Sequence, residues 1–204
     1  QMCIRDSVCT ERIPQRFGFD PLNHVQVLTP MHRGLTGSIH LNQRLQEAFN
    51  PSGDTIEFKQ WQFRVGDKVM QQVNNYDKEV FNGDTGQIRE VNTETRELRV
   101  EFEHSIIPYT ASELDQLQLS YAISVHKSQG SEYAAVLLPL THHHYLMLQR
   151  NLLYTAMTRG KELFVLIGTP EAIDQAVRTV GTLTRYTALN YELAEVKRIL
   201  DKAR

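Results

Sequence analysis

The apolar positions change their period along the chain. Val25–Thr29 (VQVLT) is a short β-branched run ended by Pro30, the pattern of a buried strand. Leu35–Phe49 then sets Leu35, Ile39, Leu45, Ala48 and Phe49 near one helical face, and Asn50-Pro51 stops the helix. A strand leading into a turn and a helix opens an α/β unit. From Trp61 to about Leu117 the period shortens. Asp67–Val73 (DKVMQQV) and Glu97–Glu103 (ELRVEFE) alternate, Asn92-Thr93-Glu94-Thr95 reads as a hairpin turn, and Gly66-Asp67 and Gly83-Asp84 mark tight turns. Residues 67–117 are therefore expected to form a small β module inserted in an α/β domain.

Beyond it the α/β pattern returns. Leu119, Ala122, Ile123 and His126 have helical spacing, Ser128–Glu132 is a glycine-containing turn, and Ala134–Leu138 is a buried strand. Tyr145–Met157 predicts a helix, with Leu148, Leu152, Leu153, Ala156 and Met157 apolar and Gly160 at a C-cap position. Glu162–Ile167 (ELFVLI) predicts another strand. Thr169-Pro170 is a cap and first-turn pair for a helix through Val180. A last amphipathic helix, within residues 183–204, aligns Leu189, Leu193, Val196 and Leu200. The expected architecture is an α/β parallel-sheet domain made of residues 11–66 and 118–182. Residues 1–10, which begin with Gln and show no period over Gln1–Ser7, are expected to be a disordered or non-native leader.

Composition narrows the class. The 204 residues are 41% hydrophobic and 23% charged, with 22 Lys+Arg against 24 Asp+Glu and a net charge of −2, ordinary values for a globular chain. No apolar run approaches the ~20 residues of a membrane-spanning helix. Cys3 and Cys9 can make neither a disulfide framework nor a four-ligand zinc site, and their scarcity suits a reducing compartment. The near-neutral balance removes the strongest compositional sign of nucleic-acid binding but leaves room for a local basic groove. Asp84–Gln118 carries three basic and eight acidic residues, about −5, a surface that would repel phosphate.

Three segments put polar residues at the ends of buried elements, where ligands bind in open α/β sheets. They are Pro30–Gly34 (PMHRG), His126–Glu132 (HKSQGSE) and Tyr154–Gly160 (YTAMTRG). Together they supply Arg33, Lys127 and Arg159, and a guanidinium is suited to a bidentate grip on phosphate. Gly130 would let backbone N–H groups approach such a ligand closely. Plainer roles stay open. Arg33 can be a solvated turn residue, Arg159 can answer the helix dipole, and His126 can be a satisfied core histidine. Spacing alone stops at an α/β domain able to take a phosphate ligand. His142-His143-His144 reads as a solvated loop, and the regular spacing of His24, His32 and His40 as coincidence.

The order and wording of these segments resemble the late motifs of superfamily 1 helicases, most closely the RecD-like branch with its UvrD-like C-terminal helicase domain. Val27–Gly34 (VLTPMHRG) looks like motif IV, Leu119–Glu132 (LSYAISVHKSQGSE) like motif V, and Arg150–Lys161 (RNLLYTAMTRGK) like motif VI. Phe63–Gly86 looks like the approach to the SH3-like barrel inserted in that branch, and Arg12–Pro21 (RIPQRFGFDP) like the approach to the second motor domain. The resemblance implies a RecA-like motor domain that closes over ATP and Mg2+ held mainly by a first motor domain. Arg33 and Arg159 would touch the γ-phosphate, Arg159 as the arginine finger. Gly130 and Glu132 would approach the nucleotide, and Gln129 would couple it to DNA. Ser124, His126, Lys127 and Ser128 would face single-stranded DNA, with Asn74, Tyr76 and Asn82 as further contacts. Tyr154 and Thr155 would relay closure. No metal ligand is expected in the chain itself. The resemblance further implies 5′→3′ unwinding at duplex–single-strand junctions, in DNA repair and recombination, in the cytoplasm and away from membranes.

The chain contains no G-x-x-x-x-G-K-[ST] and no Asp-Glu pair after a hydrophobic strand. Lys127-Ser128 lacks the preceding glycines of a phosphate loop. Alone, the chain is therefore expected not to hydrolyse ATP and to work with an N-terminal half. Two alternatives remain at this point. One is a non-catalytic nucleic-acid-binding module. The other is the helicase part of a conjugative relaxase. Intact Arg33, Gln129, Glu132 and Arg159 favour a working motor.

Overall fold

The computed structural model describes residues 7–103, 105–141, 144–145 and 147–180, with positions 193, 196, 198 and 201. A one-turn π-helix, Val8–Arg12, runs into α1, Ile13–Phe17, which Gly18 ends in the left-handed conformation at φ 70°. Cys9, 1% exposed, joins Ile13 in the core, so the expected leader does not extend over residues 7–10. Residues 1–6 lie outside the described residues.

The strand β1, Val25–Thr29, is buried at every position, as its unbroken apolar run predicts. It lies at the middle of a parallel sheet with β9, Ala122–Ser124, on one side and β10, Tyr133–Leu140, on the other. The strand β11, Gly160–Gly168, completes the sheet beside β10 in the order β11-β10-β1-β9. Three helices follow or connect these strands: α2, Ser38–Phe49, α3, Arg150–Met157, and α4, Pro170–Arg178. On α2, Leu41 and Leu45 are buried, and the buried Asn42 receives the Ala122 N–H on its side-chain oxygen and donates to the Ala122 carbonyl.

Between α2 and β9 stands the inserted β module. A hairpin pairs β2, Thr55–Phe58, with β3, Trp61–Arg64. A five-stranded antiparallel sheet follows: β4, Lys68–Gln71; β5, Thr85–Asn92; β6, Glu97–Glu101; β7, Ile106–Tyr109; and β8, Leu117–Leu119. Its order is β7-β6-β5-β4-β8, so the first and last strands of this sheet are neighbours. Entrance and exit of the chain therefore lie side by side. They are joined by Asp67, fully buried, which accepts from the Arg64 N–H at 2.7 Å, Gln46 Nε2 at 2.5 Å, Asn50 Nδ2 at 2.8 Å and the Tyr121 hydroxyl at 2.9 Å. Burial raises the pKa of this carboxyl despite those donors.

Several element expectations need correction. Leu119–His126 is not helical. Its apolar residues, broken by Ser120 and Ser124, do not sustain a helical period and are shared between two strands, β8 in the module and β9 in the parallel sheet. The helix expected over Leu35–Phe49 starts at Ser38, since Gly37 is extended and Leu35 is 62% exposed in the preceding turn. The helix expected over Tyr145–Met157 is confined to α3. Gly160 does not cap it but opens β11, where a Cβ would lie 2.8 Å from the Leu163 carbonyl oxygen. The helix after Thr169 is as expected, with the Thr169 hydroxyl accepting the Ala172 N–H, although it ends at Arg178. Within residues 183–204, positions 193, 196, 198 and 201 are helical and the others lie outside the described residues. Among the described residues no helix is long and apolar enough to cross a membrane.

Candidate nucleotide and nucleic-acid site

The connection from β9 to β10 carries most of the predicted site. It joins two parallel strands without a helix. The residue pairs Leu28↔Ile123 and Val27↔Leu137 show that β9 ends level with the C-terminal part of β10. Residues 125–132 must therefore travel back along the sheet to the start of β10, a strand of eight residues, or ~25 Å. They do so through successive turns: Ser128 N–H to Ser124 O at 3.2 Å, Gln129 N–H to His126 O at 3.3 Å and Ser131 N–H to Ser128 O at 3.1 Å. Gly130 holds φ +88° with open space around it. One short segment thus reaches both ends of the sheet.

At the N-terminal end of the strands it meets Arg159. This side chain is half-buried and held in three places. Its Nη1 donates to the Ser131 carbonyl at 3.2 Å, its Nε to the Thr155 carbonyl at 3.3 Å, and its Nη2 to the Thr158 hydroxyl at 3.2 Å. The Tyr133 N–H donates to the Arg159 carbonyl at 2.8 Å. Beside it, the exposed Glu132 pairs with Lys161 at 3.2 Å. Arg159, Glu132 and Gly130 therefore belong to one surface. Gln129 and Thr155 line a hollow of about 260 Å³ with Val125, His126, Gln149 and Leu152, which joins the loop to α3. Tyr154 is largely exposed on the same helix.

Arg33 is elsewhere. It follows β1 at the C-terminal end of the sheet, whereas Arg159 precedes β11 at the N-terminal end. The length of β10 separates these ends, more than two arginine side chains can bridge. The expectation that Arg33 and Arg159 touch one γ-phosphate is not met in this structure. The adjacent His32 Nδ1 lies 3.1 Å from the Ser38 hydroxyl, and Thr36 Oγ1 lies 2.7 Å from Nε2 of His144. His144 is buried and its Nδ1 receives the Thr141 N–H at 3.3 Å, so this histidine is not part of a solvated loop. His142 and His143 lie outside the described residues.

The expected DNA-facing residues divide. Ser124 is buried and its hydroxyl receives the Lys127 N–H; Ser128 is buried and its hydroxyl donates to the Val125 carbonyl at 2.7 Å. Both shape the turn and neither presents its side chain outward. His126 is exposed rather than a core residue. Lys127 reaches across to Gln72 Oε1, just after β4, and burial lowers its pKa. In the module, Tyr76 is 74% exposed and packs edge-on against the 44% exposed Phe81, with ring centroids 5.9 Å apart. Asn74 spends its side chain within this loop, accepting the Asn82 N–H at 2.9 Å and reaching the Tyr76 hydroxyl at 3.5 Å. Asn82 contributes there through its backbone. Sequence reading missed Ser131, Thr158, Tyr133 and Phe81. The first two act through a carbonyl and a hydroxyl next to residues already singled out, and Phe81 meets Tyr76 through the loop closed by the Asn75–Val80 bridge and the Asn74–Asn82 hydrogen bond.

Among the described residues no group of three or more His, Cys, Asp or Glu side chains is gathered to hold a metal ion. The donors at the Arg159 surface suit an anion: a guanidinium and an open glycine backbone.

A parallel sheet interrupted by a small antiparallel module resembles helicase motor domains in fold. The chain overlays the Pif1 helicase from Bacteroides, solved in complex with ADP-AlF3 and single-stranded DNA, with a TM-score of 0.56 at 16% identity, over 96% of this chain and 50% of that one. It overlays the Pif1 helicase from Candida albicans with a TM-score of 0.50 at 14% identity, over 85% of this chain and 50% of that one. Residues 41–102 match the SH3 domain of ATP-dependent RecD-like DNA helicases, and residues 119–167 match the UvrD-like helicase C-terminal domain. The ATP-dependent RecD2 DNA helicase of Deinococcus radiodurans is 43% identical over 148 residues, 72% of this chain and 20% of that protein. The RecD subunit of the RecBCD enzyme from Mycobacterium tuberculosis is 27% identical over 156 residues, 76% of this chain and 27% of that protein. Over most of its length the chain is homologous to RecD-like helicases. It spans about a fifth to a quarter of the length of these curated relatives.

Proposed function

We propose that the chain is the second motor domain of an ATP-dependent DNA helicase that moves 5′→3′ on single-stranded DNA. The observation that carries this reading is the loop 125–132, which joins the exposed His126 at one end of the sheet to the Arg159 contact at the other. When bound, ATP with Mg2+ supplies the free energy of phosphate-bond cleavage. The phosphate-binding loop and the magnesium-holding carboxylates belong to a first motor domain, since these 204 residues hold no such loop. The chain alone is inactive in this reading.

Arg159 serves as the arginine finger and compensates charge at the departing phosphoryl group. Ser131, Thr155 and Thr158 pre-orient it by holding the guanidinium plane, so little order has to be created on closure. Gly130 and Glu132 approach the nucleotide, while Gln129 and Thr155 transmit its presence to the loop and Tyr154 contributes to the closing face. His126 and Lys127 face the DNA strand. Arg33, at the same end of the sheet, is a cation for the DNA backbone rather than for ATP. Tyr76 and Phe81 offer a stacking surface on a module whose acidic charge disfavours phosphate contacts. Work at duplex–single-strand junctions in the cytoplasm follows from this reading.

The test is Arg159→Ala in the polypeptide that joins this chain to a phosphate-binding motor domain. Single-stranded-DNA-stimulated ATPase should fall about 10³-fold, in the range of arginine-finger removal, with oligo(dT) binding retained. Equal loss of both would show a structural role for Arg159 and overturn the reading.

A further inference from the structure

Lys68 opens the first strand of the five-stranded module, yet its side chain points into the motor domain. Its Nζ donates to the Leu22 carbonyl at 3.0 Å and to Gln26 Oε1 at 3.0 Å. Gln26, fully buried on β1, turns its own Nε2 to the Ser120 carbonyl at 3.0 Å and the Tyr121 carbonyl at 3.1 Å, where the chain returns from the module. The ammonium is thereby fixed at the seam between the two sheets. It also lies 6.0 Å from the ring centroid of Tyr133, within cation–π range. Tyr133 is the first residue of β10. Its N–H donates to the Arg159 carbonyl, and its neighbour Ser131 holds the Arg159 guanidinium. Lys68 and Ser131 line the same groove between module and motor.

We propose that Lys68 is a positioning residue for Arg159, acting through the Tyr133 ring and the residue 131–133 backbone. The inference rests on the reading of Arg159 as the arginine finger. It gives the inserted module a task apart from any contact with DNA. The module's first strand braces the segment on which the guanidinium hangs, so movement of the module at this seam is transmitted to Arg159. The contact is cationic and aromatic rather than a direct ion pair. A Lys that touched Arg159 itself would repel it, and the intervening ring removes that conflict.

The experiment uses the same two-motor polypeptide, with ATP-Mg2+ and oligo(dT). Lys68→Met keeps the length of the side chain and removes its charge. It should lower kcat of DNA-stimulated ATP hydrolysis about tenfold, the worth of a partly desolvated cation–π contact, with KM for ATP and oligo(dT) affinity within about twofold of wild type. Lys68→Arg should restore most of kcat. Tyr133→Phe, which keeps the ring, should stay near wild type, and Tyr133→Leu should match Lys68→Met. The double variant Lys68→Met/Tyr133→Leu should be no slower than the slower single one. The proposal is overturned if Lys68→Met leaves kcat unchanged while Arg159→Ala abolishes it, or if the two single losses multiply in the double variant. Proportional loss of kcat, DNA binding and thermal stability would reduce Lys68 to a fold residue. If Arg159→Ala itself keeps full ATPase, the arginine-finger reading has failed and this inference falls with it.

Discussion

Arg159 and Asp67 show two ways in which one side chain organises its surroundings. The guanidinium of Arg159 gathers three acceptors of its own chain and remains only half-buried, which orients it without sealing it from a ligand. Asp67 gathers four donors and is fully buried. Asp67→Ala would leave those donors without their acceptor, so we expect a loss of about 3 kcal/mol of stability in chemical denaturation. Lys68 supplies a pH-dependent counterpart. Burial lowers its pKa from 10.5 to about 8. Between these values the unfolded chain holds the proton and the folded chain releases it, so this group's contribution to stability rises with pH across that window. The difference in melting temperature between wild type and Lys68→Met should therefore grow in favour of wild type from pH 8 to pH 10. A constant difference would mean that the amine is not desolvated.

At the scale of elements, the sequence was most readable where local pattern and packing agree. The strand β1, the hairpin after Asn92 and the capped helix α4 all follow from their own residues. Asn92 accepts the Glu94 and Thr95 N–H groups at 3.0 Å each, as a turn-forming Asn does. Thr169→Ala should accordingly cost about 1 kcal/mol of stability. Over Leu119–His126 the apparent helical period is misleading, because two three-residue strands of different sheets meet there. Of the site, Arg159, Gly130 and Glu132 were legible as a motif. That Arg33 stands at the far end of the sheet was not, since strand direction and register come from pairing between segments about 100 residues apart. The same holds for Gly86 on β5. Its Cβ would lie 2.6 Å from the Glu101 carbonyl oxygen and 2.8 Å from Val100 Cγ1. Gly86→Ala should destabilise the module by about 2 kcal/mol in a denaturant titration.

For the molecule as a whole, the two candidate surfaces lie at opposite ends of one parallel sheet. Residues 125–132 connect them, and the SH3 module is fastened to the same sheet through Asp67–Tyr121, Lys68–Gln26 and Lys127–Gln72. In the proposed function the Arg159 end meets ATP and the His126 and Arg33 end meets DNA. Residues 125–132 are the direct covalent link between the two ends in that reading. The most direct measurement compares Arg33→Ala with Arg159→Ala in the two-motor polypeptide, by ATPase at saturating oligo(dT) and by oligo(dT) affinity. Arg159→Ala should lose about 10³-fold in ATPase with binding retained, whereas Arg33→Ala should keep most of its ATPase and bind DNA more weakly. An equal collapse of ATPase in both variants, with DNA affinity unchanged, would mean that both arginines serve the nucleotide and would contradict the division of the sheet into two ends.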